Sequence, residues 1–366
     1  MATPKETNLP GIPTFDHPQR HELLKDADPE IQRVAEALHR DGYAVVDFPD
    51  PGIDGLMEEI HAALTPRFDF HHWREKLWPV SDGLRLQDIW QEVEAVRKIA
   101  CNERILEILS AVFGREAFPF QTLNFPVGTQ QTLHSDAAFF SSVPDGFMCG
   151  VWLAFEPTDE GNGALQYAPG SHRAPLLTND RIGMRAAGAD QHKLHEKLAF
   201  AWQDLVRGNS YQPVTFKAKK GQALIWSAHL LHGGSRHADI DRTRWSQVTH
   251  YYFKDCLYWT PSYSDVFEGR TYVRAPFNIL TGETEQSTYL GRPVPASEGP
   301  AGKPARTLFE RAVRRVARRV AAHSVALAEG FDREAYLAAN PDVRESGFSP
   351  KQHWIRYGYR EGRKLR

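Results

Sequence analysis

The sequence predicts an α+β, mainly β fold: a double-stranded β-helix (a cupin-like jelly-roll barrel) with flanking helices, then a small helical C-terminal module. Three observations carry this. Residues 29–113 show helical periodicity, interrupted by one strand-like run, Tyr43–Phe48. From Phe118 to Phe253 the pattern changes to short apolar runs separated by turn residues. Beyond Leu290, glycine, proline and small residues take over, as they do in linkers.

From the N-terminus, residues 1–28 read as a loose polar arm. Helices are expected at Ile31–Arg40, Gly55–Leu64, Leu86–Ile99 and Glu103–Phe113, the first stopped by Gly42. Strands follow at Val151–Phe155, Ala164–Tyr167, Gln212–Phe216, Gln222–Trp226 and Trp245–Phe253. Asn162-Gly163 is a hairpin signal between the first two. Gln191–Val206 reads as a helical insertion able to cover a site. These elements make one domain over 29–289, with a linker over 290–306. Residues 307–328 form a basic helical pattern. Phe309, Val313, Val316 and Val320 recur at helical spacing, while Arg311, Arg314, Arg315, Arg318 and Arg319 fill other faces. Such a helix either docks by its apolar stripe or lies on an anionic membrane or envelope polymer. Residues 329–366 form the accessory module.

Composition excludes little, but it does so clearly. The 366 residues are 41% hydrophobic and 25% charged, with a formal net charge of −2, which gives no global signal for nucleic acid. Cys101, Cys149 and Cys256 have neither disulfide-framework nor zinc-ribbon spacing. The first residues lack an apolar signal segment, and no long apolar run is present. The expected location is the cytoplasm, with peripheral contact at the inner membrane through the basic helix.

The chemistry sits in His134-Ser135-Asp136, followed far downstream by His232 and Arg244. Two other H-x-D pairs, His39/Asp41 and His237/Asp239, lie at a helix end and in a polar loop. On a strand, residues i and i+2 share a face, so His134 and Asp136 converge on one ion. A third ligand from a neighbouring strand completes the two-His-one-carboxylate triad of non-haem Fe(II). His232 is favoured for this by the close backbone approach that Gly233 and Gly234 permit, with His229 as its competitor. An arginine shortly after the second histidine suits a dicarboxylate co-substrate, because its planar fork binds carboxylate bidentately. Arg244 and Arg242 both qualify, and Ser235 can add a hydroxyl.

These segments resemble the phytanoyl-CoA dioxygenase family of Fe(II)/2-oxoglutarate oxygenases. The resemblance rests on Thr132–Asp136, Val151–Thr158 with Asn162–Leu165, Pro169–Arg173, Ala228–Ser235, and Arg244 with His250-Tyr251-Tyr252. Arg40–Val46 matches the family's opening helix-to-strand step, and the likeness runs from about Pro29 to Lys254. It implies His134, Asp136 and His232 as iron ligands and Arg244 as the partner of the distal carboxylate of 2-oxoglutarate. The extra glycine after His232 lengthens the family's usual spacing by one, which keeps Arg242 in contention. It implies Fe(II), 2-oxoglutarate and O2 as cofactor and co-substrates, and hydroxylation of a small molecule with release of succinate and CO2. The intact Asp136 argues against a halogenase. A metal-dependent non-oxygenase on the same barrel, or an inactive scaffold or envelope-associated binding protein, are the alternatives.

Other residues have weaker assignments. Trp152 and Gln121 are candidates for the co-substrate pocket, and Phe139 and Phe140 for the substrate wall. His172 follows turn residues and reads as structural, and His71 and His72 as surface. The tail from Phe331 to Arg363 resembles a short module found on bacterial proteins, often near glycan-synthesis enzymes, and this points to a bacterial origin.

Overall fold

The computed structural model describes residues 11–78, 84–185, 191–297, 330–345, 349–358 and 363–365. The chain divides into two compact units, Met1–Ser297 and Glu298–Arg366. The basic pattern at 307–328 lies outside the described residues.

The first unit is a double sheet backed by helices. The larger sheet has six strands, β1 (Tyr43–Asp47), β2 (Leu86–Gln87), β3 (Ala117–Phe125), β5 (Met148–Ala154), β8 (Gln222–Ser227) and β10 (Ser246–Phe253), in the order β1-β8-β5-β10-β3-β2. Facing it is a smaller sheet, β7 (Val214–Thr215), β6 (Leu165–Tyr167) and β9 (His232–Gly234), in the order β7-β6-β9. Neighbouring strands within both sheets pair antiparallel. A separate pair, β4 (Ser141–Val143) with β11 (Leu257–Trp259), lies beyond them.

Each central strand serves two cores by alternation. On β5 and β8, Val151, Leu153, Ala223 and Ile225 meet Val34, Leu38, Val96 and Ile108 of the helices. Between them, Trp152, Leu224 and Trp226 pack inward with Leu165, Tyr167 and Phe216 of the smaller sheet. The barrel interior therefore has its own core, distinct from the one beneath the helices.

The helices begin and end where local chemistry directs. Helix Pro29–Asp41 is capped by Asp28, whose carboxylate accepts from Glu30 N and Ile31 N, with proline at its first position. It stops at Gly42, at φ 83°. A side chain there would also strike His172, since a Cβ would lie 2.5 Å from its Nδ1. Helices Ile53–Leu64 and Glu103–Phe113 also form, as does Gln191–Gly208.

Four expectations need correction. Residues 11–28 are not a loose arm: Phe15 is buried edge-on against Phe113 at 5.1 Å, and Arg20 pairs with Glu36. Leu86–Gln87 is a strand, because it hydrogen-bonds to Leu123–Asn124 of β3, and helix starts only at Glu94. Asn162-Gly163 does turn the chain, with Gly163 at φ 72°, but it does not close a hairpin. Strand β5 pairs with β8 and β10 while β6 pairs with β7 and β9, so the turn carries the chain from one sheet to the other. Asn162 holds this crossover by donating its amide to Pro157 O and Thr243 O. Finally, the first unit continues through Ser297, past the linker start expected at Leu290. Thr288–Tyr289 pairs with Arg292–Pro293, and Ser297 N donates to Val273 O.

In the second unit, short helices Arg333–Ala339, Pro341–Glu345 and Pro350–His353 bury Tyr336, Leu337, Val343 and Trp354 together.

Candidate metal centre

His134 and His232 face each other in a single antiparallel bridge, exchanging both backbone hydrogen bonds at 2.9 Å. Bridge partners place their side chains on the same face, and the two rings lie 4.5 Å apart. Gly233 is needed beside them, because a Cβ there would be 2.5 Å from Gln131 O. Asp136 begins a short 3-10 turn, Asp136–Ala138, which brings its carboxylate round to the same point. One ligand atom from each of His134, Asp136 and His232 lies within 4.8 Å of the others.

The hydrogen bonds leave these atoms in the right state for a cation. His134 Nδ1 meets Thr132 O and His232 Nδ1 meets Leu230 O, each at 3.0 Å. A carbonyl can only accept, so both Nδ1 atoms carry a proton and it is the Nε2 atoms that are turned towards Asp136. Burial, with His232 nearby, lowers the His134 pKa to about 4, so this imidazole is neutral at pH 7. Burial alone would raise the Asp136 carboxyl, but His232, His250 and His134 outweigh it and hold it well below the usual carboxylate range. Two imidazoles and one carboxylate converging on one side are the donor set of a facial triad.

Two further residues surround Asp136, and no spacing along the chain assigns either of them to the site. The indole N–H of Trp226 donates to Asp136 Oδ2 at 2.9 Å, and its ring lies 4.6 Å from that of His232. His250 Nε2 is 3.5 Å from the same oxygen, while its Nδ1 is 3.0 Å from Gln121 Oε1. Gln121 thus stands beside the triad and His250. Strand register explains the grouping, since Gly150 of β5 is opposite both Trp226 and His250. Only glycine leaves room for the indole, because a Cβ at 150 would sit 2.2 Å from it. Trp226→Phe keeps the ring and removes the N–H. Loss of such an outer hydrogen bond costs roughly 10–100-fold in metal affinity, and a Co(II) absorption titration would measure it. An unchanged affinity would mean that the indole only packs.

Arg244 is buried just before β10. Its Nη1 donates to Ser246 Oγ at 2.7 Å and its Nη2 to Val127 O at 3.3 Å, but Nε has no partner. Among the described residues no carboxylate lies within ion-pair distance of it. Burial lowers its pKa to about 10, opposed by Glu156, so it stays charged at neutral pH. A buried cation without a counter-charge is costly, and a bound carboxylate would relieve it. Trp152 lies under the guanidinium, 5.5 Å away, with its own indole N–H unpartnered. Ser235 is also buried with a free hydroxyl. Trp152 is one inward-facing position along β5 from Gly150, about 7 Å at strand rise, which a five-carbon dicarboxylate spans. The residues present therefore fit both the metal and the keto acid.

The rivals are occupied elsewhere. Arg242 turns out to Asp159 at 2.9 Å, with both side chains partly exposed. His229 pairs with Asp145 at 3.1 Å. His172 Nε2 meets His39 O, His39 pairs with Asp16, and His237 Nε2 is bound by the carbonyls of Asp239 and Arg242. Phe139 packs towards Trp202 of helix Gln191–Gly208 at 6.2 Å, and Phe140 lies 5.4 Å from His250. Phe140 thus stands beside His250, and Phe139 faces the helix.

The model of the phytanoyl-CoA dioxygenase family matches residues 38–243, more than half of the chain, and the chain belongs to that family. Phytanoyl-CoA dioxygenase domain-containing protein 1 of Danio rerio is 28% identical over 160 residues, 43% of this chain and 50% of that protein. The chain thus spans about half the length of this curated relative. Among solved structures, the non-heme alpha-ketoglutarate-dependent epimerase SnoN from nogalamycin biosynthesis aligns with a TM-score of 0.49 and 19% identity, covering 74% of this chain and 97% of that one. EctD from S. alaskensis with bound Fe aligns at 0.43 and 18%, covering 60% and 75%.

Proposed function

We propose that the protein is an Fe(II)/2-oxoglutarate-dependent dioxygenase that hydroxylates a small molecule and releases succinate and CO2. The observation that carries this is the pairing of two imidazole nitrogens and a carboxylate with a buried, uncompensated Arg244. His134, Asp136 and His232 would hold the iron, and Arg244, with Ser235 and Trp152 beside it, the distal carboxylate of 2-oxoglutarate. When bound, the metal and keto acid supply the oxidising chemistry with O2. The protein's own part is positioning. The bridge between His134 and His232 sets the ligand spacing, Trp226 holds one oxygen of Asp136, and the inter-sheet core keeps water from the barrel. The test is a metabolite screen reading succinate release in the presence of Fe(II), 2-oxoglutarate and O2. A compound that accelerates succinate formation and gains one oxygen is the expected result. A chain that binds neither metal nor 2-oxoglutarate would refute the reading.

The tail is assigned to targeting. Five arginines between Arg311 and Arg319 make a field that attracts anionic surfaces and weakens with salt. No helix among the described residues is long and apolar enough to cross a membrane. A chain ended at Ser297 should fold and bind metal and 2-oxoglutarate, yet lose salt-sensitive co-sedimentation with anionic vesicles. No vesicle binding by the full chain at low salt, with a badly destabilised shortened chain, would make the helix part of the core instead.

A further inference from the structure

On the side of the triad away from Arg244, the barrel holds a second polar group that no part of the proposed site uses. Beyond His250, strand β10 turns Tyr252 inward, fully buried, with its hydroxyl unpartnered. A bulge in the β10–β3 pairing between His250 and Tyr251 turns two consecutive β3 residues towards the site. Gln121 meets His250, and Phe120 stacks on Tyr252 at 4.2 Å. Phe140 closes on Phe120 at 5.4 Å. Over the Phe140 ring, at 4.8 Å, lies the half-buried guanidinium of Arg274.

Arg274 is held but not neutralised. Its Nη1 donates to Thr260 Oγ1 at 3.1 Å, and Thr260 in turn donates to Phe139 O at 3.0 Å. The Nε atom is buried without a partner. Among the described residues no carboxylate lies within ion-pair distance of it. The Phe120 ring that stacks on Tyr252 also lies 6.0 Å from the ring of His250, which joins Tyr252 to the triad side of the barrel. Two unspent donors, one of them cationic, thus flank the paired rings of Phe120 and Phe140 beside His250. A guanidinium fork and a phenol together match an oxyanion.

Building on the dioxygenase reading, we propose that Tyr252 and Arg274 bind an oxyanion of the substrate, a carboxylate or a phosphate monoester, with the rings of Phe120 and Phe140 against the carbon chain that leads to the metal site. The enzyme then acts on acidic small molecules, oxidising a carbon some distance from the charged end. Its two arginines divide the work: Arg244 takes the co-substrate's carboxylate and Arg274 the substrate's.

Two measurements test this. Crystals of the full chain are soaked in sodium bromide, and the anomalous map is inspected at Arg274. In solution, hexanoate, hexyl phosphate and hexanol are titrated into the anaerobic complex with Co(II) and 2-oxoglutarate, and the cobalt absorption is followed. Bromide is expected at hydrogen-bond distance from Arg274 Nε and Tyr252 Oη, and at least one hexyl anion should bind about tenfold or more tighter than hexanol. Arg274→Gln should remove both the bromide and the preference, and Arg274→Lys should retain part of the preference. Whichever anion binds tighter identifies the head group. Water alone at Arg274, or equal affinity for all three probes including none for any, overturns the proposal. A wild-type chain that takes up no Co(II) would instead defeat the dioxygenase reading, and the bromide map would then decide the Arg274 site alone.

Discussion

Asp136→Ala is expected to abolish Fe(II) binding and turnover while the chain still folds. The carboxylate is the only anion in the triad, and three imidazoles face it. Removing it leaves two imidazole nitrogens and no charge to compensate the cation. The loss should exceed the roughly 10–100-fold typical of outer-shell changes. His134→Ala should behave alike, since each ligand is unique among the described residues. Metal titration with Co(II), beside thermal melting, checks both. Wild-type affinity and activity in either variant would show that the triad is not the metal site.

Arg244→Ala should weaken 2-oxoglutarate by orders of magnitude. Leaving a buried carboxylate without its guanidinium costs roughly 2–5 kcal/mol. Arg242→Ala should do little, because its pair with Asp159 is exposed and such pairs contribute about 0–1 kcal/mol. Co-substrate titration of the two variants gives the ranking, and the reverse order would move the keto-acid site to Arg242. In the sequence, the resemblance favours Arg244, and the extra glycine after His232 keeps Arg242 as its rival. Burial separates them, with Arg244 at 3% exposure and Arg242 drawn out by Asp159.

What the sequence makes legible follows from how local each signal is. The triad is readable because His134 and Asp136 are two apart and His232 is marked by two glycines. Helix Pro29–Asp41 is readable because Asp28, Pro29 and Gly42 write its start and stop. Trp226 and His250 are not readable, because strand register assembles them. Each becomes part of the site only when Gly150 stands opposite, and no spacing along the chain encodes that. The Asn162-Gly163 turn misleads for a related reason. Its chemistry is the same whether the chain returns to its own sheet or crosses to the other. Leu86–Ile99 misleads because pairing with β3 overrides helical periodicity at its first residues.

Strand β10 has a further consequence for how such an enzyme diversifies. Its outward residues tie it to the helix Glu94–Ala100: Gln247 donates to Val96 O and Tyr251 to Ala100 O. Its inward residues, from Ser246 to Tyr252, address the metal and whatever lies beyond it. Inserting or deleting one residue would exchange these two sets wholesale and ruin both. Replacing an inward residue leaves the anchors untouched. Changes along β10 that preserve both faces are thus confined to substitution within a fixed register.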